Sequence, residues 1–267
     1  MCRVLQVSPS GFYAWAKRPE AVHESQDRKL GVLVGEAHAR SRQIYGSPRV
    51  HAQLQAHGTC VGKKRVARLM RELGLRGRVR RAYARTTDSD HGLPTASNLL
   101  NRDFTATKPN ERWVGDVTYL RTPTGFLYLA VMLDLYSRKV VGWATSAVND
   151  RRLALRALDQ AIRRRRPTKG LLHHTDQGSP YASEDYQAVL DRAGIVCSMS
   201  RRGNCHDNAA MESWNATLKA ELGETFESAG DAMRKLFDYI EVFYNEERLH
   251  SALAYVSPAQ FERAALA

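Results

Sequence analysis

Apolar positions recur along this chain with two different periods, and the change of period divides it. Up to about residue 85 the spacing is helical. Leu30, Val34 and Ala37 mark a helix over 28–40, and Val50 and Leu54 mark a second that starts at Pro48 after the turn residues Tyr45–Ser47 and ends near Gly58. Val66, Leu69, Met70 and Leu73 put a third on one face of KKRVARLMRELG, stopped by Gly74. Three short helices with tight turns predict a helix-turn-helix arrangement. Ahead of them, SPSGFYAWAKRP reads as a small helical element with Phe12, Tyr13 and Trp15 as aromatic anchors, and 86–108 is polar and turn-rich, a linker.

From Trp113 the pattern is that of strands. WVGDVTYLRT is β-branched and aromatic, FLYLAVMLDLYS is nearly continuous apolar, and KVVGWATS follows a turn at Ser137–Arg138; a hairpin at Pro123–Gly125 joins the first two. A helix over 150–166, the strand GLLHHTD, a helix over 183–193 and the strand IVCSMS come next. Three antiparallel strands, then helix–strand–helix–strand, is the order of a ribonuclease-H-like α/β fold with a mixed five-stranded sheet and flanking helices. Further on, Met233, Leu236, Phe237, Ile240, Phe243 and Tyr244 make one amphipathic helix that packs on the sheet, with Tyr244, Asn245, Arg248 and His250 as polar groups at its end that could touch DNA. The expected segments are 1–27, 28–85, 86–108, 109–225 and 226–267, in 267 residues.

Charge separates the same two parts. Net charge is +12; residues 1–110 hold 20 Lys/Arg against 8 Asp/Glu, whereas 111–267 hold 20 of each. Ten basic residues and one acid lie between Lys63 and Arg85, and Lys63, Lys64, Arg65, Arg68, Arg78, Arg80 and Arg81 are the candidate DNA contacts, because such a run repels itself unless a polyanion neutralises it. No apolar stretch approaches a membrane span and the N-terminus has no signal-peptide core, so a cytoplasmic protein is expected. Four cysteines form no close pair. His173, His174, Cys197, Cys205 and His206 supply zinc-capable atoms but not zinc spacing, and scattered reduced thiols are the simpler reading.

Candidate chemistry sits in three acids. Asp116 interrupts an apolar strand, where an unpaired carboxylate is costly; a metal is one partner, and a salt bridge to Arg112 or Arg138 another. Asp176 ends a strand, though TDQGSPY would also make an Asx turn. Glu212 follows after 35 residues, on a helix that Asp207 caps and Gly223 stops. Met211, Trp214, Leu218 and Leu222 form the core face of that helix, while Glu212, Asn215 and Lys219 share an adjacent stripe with Lys219 ~10 Å along it. Lys219 is placed to meet DNA phosphate, or pairs with Glu221. Asp134, Asp185, Asp191 and Asp207 read as turn, surface or capping acids. Phosphodiester transfer needs an activated oxygen, charge neutralisation and a stabilised leaving group, which two Mg²⁺ ions on a few carboxylates supply.

The Asp116…Asp176…Glu212 spacing resembles that of DDE transposases and retroviral-type integrases. WVGDVTYL, YLAVMLDLYSRKVVGW, HHTDQGSPY, SRRGNCHDNAAMESWNATLKAEL and FYNEERLHSALAYVSPAQFE, with SPSGFYAW, SRQIYGSPRVHAQL and KKRVARLMRELGL, are similar to the B-frame product of bacterial insertion-sequence transposases. The resemblance covers nearly the whole chain. It implies an integrase catalytic core that nicks element ends and transfers strands by 3′-hydroxyl attack, with Asp116, Asp176 and Glu212 as catalytic metal ligands for two Mg²⁺, Mn²⁺ substituting, and Lys219 as the basic residue seven positions on. It further implies double-stranded DNA as partner, an A-frame segment that supplies end recognition and multimerisation, a homo-oligomer on DNA, and a place at the bacterial nucleoid. Two rivals remain: a ribonuclease-H-type nuclease, which wants a fourth carboxylate where this helix offers only Asp150 and Asp159, and a DNA-binding regulator with an inactive core.

Overall fold

The computed structural model describes residues 2–18, 21–78, 94–202, 204–223 and 226–266. It divides into two compact units, Met1–Arg78 and Val79–Ala267.

In the first unit, α1 (Pro9–Ala16) starts with proline at its first turn and Ser8 accepting from the Gly11 amide at 3.4 Å. It buries no residue; Phe12, Tyr13 and Trp15 pack on one another and stay exposed, so they are not the anchors expected. Helix α2 runs from Val22 to Arg40, and the segment break expected at 27/28 falls inside it. Its first turns carry ionic rather than apolar contacts, so periodicity begins only at Leu30. The Glu24 carboxylate accepts from the Ala21 amide at 3.3 Å, and Asp27 holds Arg65 at 2.6 Å as well as Arg68. Helices α3 (Ser47–Ala56) and α4 (Lys63–Glu72) complete the bundle around Leu30, Val34, Ile44, Tyr45, Val50, Leu54, Val66, Leu69 and Met70. Gly74, at φ +69°, ends α4 in the left-handed turn that lets the Leu75 amide reach back to Met70 O at 2.8 Å.

The second unit is a five-stranded mixed sheet. Strands β1 (Arg112–Thr122), β2 (Gly125–Asp134) and β3 (Val140–Ser146) are antiparallel, and β4 (Leu172–Thr175) and β5 (Val196–Met199) extend it in parallel, in the order β3-β2-β1-β4-β5. Helix α5 (Arg151–Arg165) covers one face with α6 (Ser179–Ala182) and α7 (Glu184–Ala193), burying Trp113, Ala130, Met132, Val141, Leu153, Leu158 and Leu190 together. Helix α8 (Ala209–Leu222) lies on the face that carries Asp116. Both faces are covered, so β1 and β2 read as continuous apolar runs rather than alternating ones.

Part of the expected 86–108 linker belongs to this core. The Leu99 and Leu100 amides donate to Ser198 Oγ at 2.9 and 3.2 Å, Leu100 is buried, and Asn98 and Arg102 both bind Asp207. The segment's polar residues read as solvated, but here they satisfy a buried acid.

The C-terminal helix differs from its expected phase. Helix α9 (Ala229–Phe237) passes into a π-helical segment, Asp238–Glu247, followed by α10 (Pro258–Leu266). The buried stripe runs through Ala232, Leu236, Tyr239, Ile240, Phe243 and Tyr244, at ordinary helical spacing, and leaves Met233 and Phe237 43% and 55% exposed. Tyr244, Asn245 and Arg248, read from sequence as groups that could touch DNA, are buried here. Arg248 grips Glu221 with two bonds of 2.7 and 2.6 Å, Tyr239 Oη adds a third at 2.8 Å, and Asn245 makes a strand-like pair of bonds to Val140.

Gly142 fixes the spacing of β3 and α5. A Cβ there would lie 2.3 Å from Ala157 O and 2.7 Å from the Ala161 Cβ. Gly142→Ala is expected to cost at least ~2–3 kcal/mol by forcing helix and strand apart, which a thermal melt would show as a fall in Tm of roughly 4–12 °C.

Candidate active site

The β1–β4 ladder sets the site. Arg112, Trp113 and Val114 pair in parallel with Leu172, His173 and His174. Continued two residues, the same register brings Asp116 level with Asp176, and residues level across a parallel pair point to one side. The Asp176 carboxylate accepts from the Gly178 amide at 3.0 Å, so the Asx turn exists and holds the acid in place at the strand end.

Asp116 is half-buried. Oδ1 accepts from the Val117 amide at 2.9 Å, and Oδ2 from Asn215 Nδ2 at 2.6 Å. The salt bridge to Arg112 or Arg138 does not form: Arg112 binds Asp103 at 2.5 Å, and the Arg138 guanidinium reaches Phe104 O. Its pKa is raised: burial is the largest cause, and the neighbouring charges of Asp176 and, less strongly, Glu212 add to it, against the two hydrogen bonds. Asp116 therefore lies within reach of the charge of both other acids.

Asn215, from the stripe that also carries Glu212 and Lys219, ties α8 to β1. Asn208 at the start of α8 adds a bond to Gly115 O at 3.3 Å. Glu212 is exposed one turn before Asn215. Glu221 is held by Arg248 and Tyr239, and the Lys219 Nζ lies 4.7 Å from the centre of the Tyr119 ring. Among the described residues no group of three or more His, Cys, Asp or Glu side chains forms a ready-made metal cage. The arrangement is an Asp116–Asp176 pair with Glu212 alongside.

Other candidates have structural partners. Asp207 is not the cap of α8; it is buried between Arg201 and Arg102, and the Arg201 guanidinium holds it well below the usual carboxylate range. Asp150 caps α5 through the Leu153 amide at 3.1 Å, and Asp159 pairs with Arg163. His173 and His174 bond Tyr186, Ser198 and Ser200, and burial lowers their pKa values to about 3 and 4, so both are neutral packing residues. Of the basic candidates in the first unit, Lys63 and Lys64 are exposed, while Arg65 and Arg68 are engaged by Asp27, and Arg68 also by Glu72. The Arg78 amide bonds Ile44 O; Arg80 and Arg81 lie outside the described residues.

The integrase core domain family matches residues 106–205, a second integrase core family 193–258, and an HTH-like domain family 24–83. The chain is 44% identical over 271 residues to the transposase InsF for insertion sequence IS3A of Escherichia coli (strain K12), covering 100% of this chain and 94% of that protein. The chain belongs to the insertion-sequence transposases. It is also 43% identical over 263 residues to a 31 kDa protein of insertion element IS600 from Shigella sonnei, covering 98% and 97%. A chain of the simian T-cell lymphotropic virus intasome shares the fold with this transposase at a TM-score of 0.51 and 18% identity, over 86% of this chain and 74% of that one.

The raised pKa of Asp116 has a sign. Above about pH 4 the unfolded chain has released this proton while the native protein still holds it, so stability falls as pH rises from there until the native group ionises. In protein stripped of divalent ions, Asp116→Asn is expected to raise Tm at pH 8, and the gain is expected to vanish below about pH 4. Melting curves at both pH values check this; an equal gain at both would contradict it.

Proposed function

We propose that the transposase cuts and joins DNA at Asp116, Asp176 and Glu212, nicking the ends of its element and directing the freed 3′-hydroxyl onto a second phosphodiester. The observation that carries this reading is the half-buried Asp116 carboxylate, level with Asp176 by the β1–β4 register and tied through Asn215 to the helix that bears Glu212. Three acids held this way favour positive charge among them. All donors are hard oxygens, as magnesium prefers, and Mg²⁺ completes its shell with water and phosphate, so it needs no closed protein cage. Two Mg²⁺ bound there, or Mn²⁺, would activate the attacking oxygen and neutralise the charge on phosphorus.

The residues of the chain do the positioning. Val117 and Asn215 fix the plane of the Asp116 carboxylate while leaving lone pairs on both oxygens for a cation. Gly178 fixes Asp176 in the same way. Glu212 approaches from the helix side, where its exposure leaves it able to move as substrate arrives. Lys219 and the basic first unit bring phosphate to the acids, with an A-frame segment and a homo-oligomer assembling on the two element ends in the bacterial cytoplasm, at the nucleoid. A ribonuclease-H-type nuclease is disfavoured because Asp150 and Asp159 are committed elsewhere.

With the A-frame segment supplied, wild-type protein is expected to give cleaved and joined products from element-end DNA in Mg²⁺ and none in a chelator. Asp116→Asn and Glu212→Gln are each expected to lose at least ~10³-fold in rate, a scale consistent with removing a metal's contribution to charge stabilisation. Cleavage by wild type without joining would favour a nuclease, and binding without either would refute the reading.

The two pairs of basic residues on α4 are expected to behave differently. Lys63→Ala and Lys64→Ala should each weaken DNA binding and lower the salt slope by about one ion, leaving Tm unchanged. Arg65→Ala and Arg68→Ala should lower the Tm of the first unit, because Asp27 loses its partners. Fluorescence-anisotropy titrations at several salt concentrations, run beside melting curves, separate the two effects.

A further inference from the structure

The β1–β2 hairpin projects past the acids and carries an aromatic surface that the mechanism above does not use. Tyr119 lies directly across from Tyr128, and Arg121 across from Phe126. Strand alternation puts all four on one face, opposite to Asp116. The Phe126 ring stands edge-on to Tyr119 at 5.0 Å and 6.4 Å from Tyr128. Cross-strand pairing of this kind steadies a hairpin by itself. It does not explain why Phe126 is left 47% exposed, with Arg121 exposed beside it.

Position gives the surface a second use. Strand β4 pairs with β1 only as far as Val114, so the edge of β1 beyond that is not covered by a strand. Lys219, from the helix on the Asp116 side, reaches to this edge and sets its ammonium against the Tyr119 ring. Tyr119 lies three positions beyond Asp116 along the strand, ~10 Å, which is two or three stacked nucleotides. Cations at the edge, flat rings just past it and carboxylates before it suit one nucleic-acid strand crossing the edge of β1.

Resting on the DNA-cutting reading above, we propose that Tyr119, Phe126 and Tyr128 form a stacking ledge for an unpaired base two or three nucleotides from the scissile phosphate, with Lys219 and Arg121 holding its flanking phosphates. Base–aromatic stacking is indifferent to sequence, so the ledge recognises a frayed or single-stranded DNA end and not a base code. Its occupant is DNA of this stated form.

The test uses the full chain carrying Asp116→Asn, without divalent ions, so that nothing is cut. The probe is a duplex with a short unpaired end that carries 2-aminopurine at successive positions. Quenching is expected at one or two adjacent positions only, and Phe126→Ala is expected to abolish it and weaken binding of the unpaired end by about tenfold. Phe126→Trp is expected to restore both, and fully paired duplex to bind all three proteins alike. Equal quenching and affinity with Phe126→Ala overturns the proposal. So does a change in assembly state by sedimentation with DNA binding intact, which would make the ledge a protein interface. Failure of the cleavage assay with quenching intact would instead overturn the catalytic reading and leave the ledge standing.

Discussion

Three residues of parallel pairing, Arg112–Val114 against Leu172–His174, carry the geometry of this protein. They fix the offset of 60 positions that sets Asp116 beside Asp176, two acids from distant parts of the chain. A slip of one residue would turn one of them to the opposite face. The surroundings resist such a slip. Trp113, His173 and Tyr186 are buried as a unit, and His174 is bonded on both ring nitrogens to Ser198 and Ser200 of the neighbouring strand region. Neutral histidines suit this task, since their hydrogen bonds are directional and bring no charge near the carboxylates.

The third acid arrives by a different route. Helix α8 is fastened to β1 by Asn208 and Asn215, and at its far end by the buried Glu221–Arg248 pair. Its position therefore depends on the C-terminal segment, whose π-helical turns bring Tyr239 and Arg248 to Glu221. The site is shared between a rigid sheet edge and a helix braced by the end of the chain.

Much of this was legible in the sequence. The order of strands and helices gave the sheet, since nearly continuous apolar runs between turn residues admit few other folds, and the stripe Glu212–Asn215–Lys219 followed from helical geometry alone. What escaped has physical causes. The first turns of α2 are held by Asp27 and not by apolar burial, so periodicity is silent there. Residues 94–104 looked solvated because their buried partner, Asp207, lies over 100 positions away. Arg248 looked like a surface group because a buried ion pair leaves no mark on a hydrophobic pattern. Met233 and Phe237 looked buried because each stands beside a residue of the true stripe, Ala232 and Leu236, and apolar spacing alone does not separate the two.

The Glu221–Arg248 pair has a practical side. Its two side chains are almost sealed from solvent, so dissolved ions reach them poorly. The contacts expected of Lys63 and Lys64 are in open water, where ions compete directly. Brine strong enough to strip nucleic acid from the basic helices would leave the brace behind α8 intact. The same molecule is thus built from two grades of electrostatics: one that lets go as its surroundings change, and one that does not notice them.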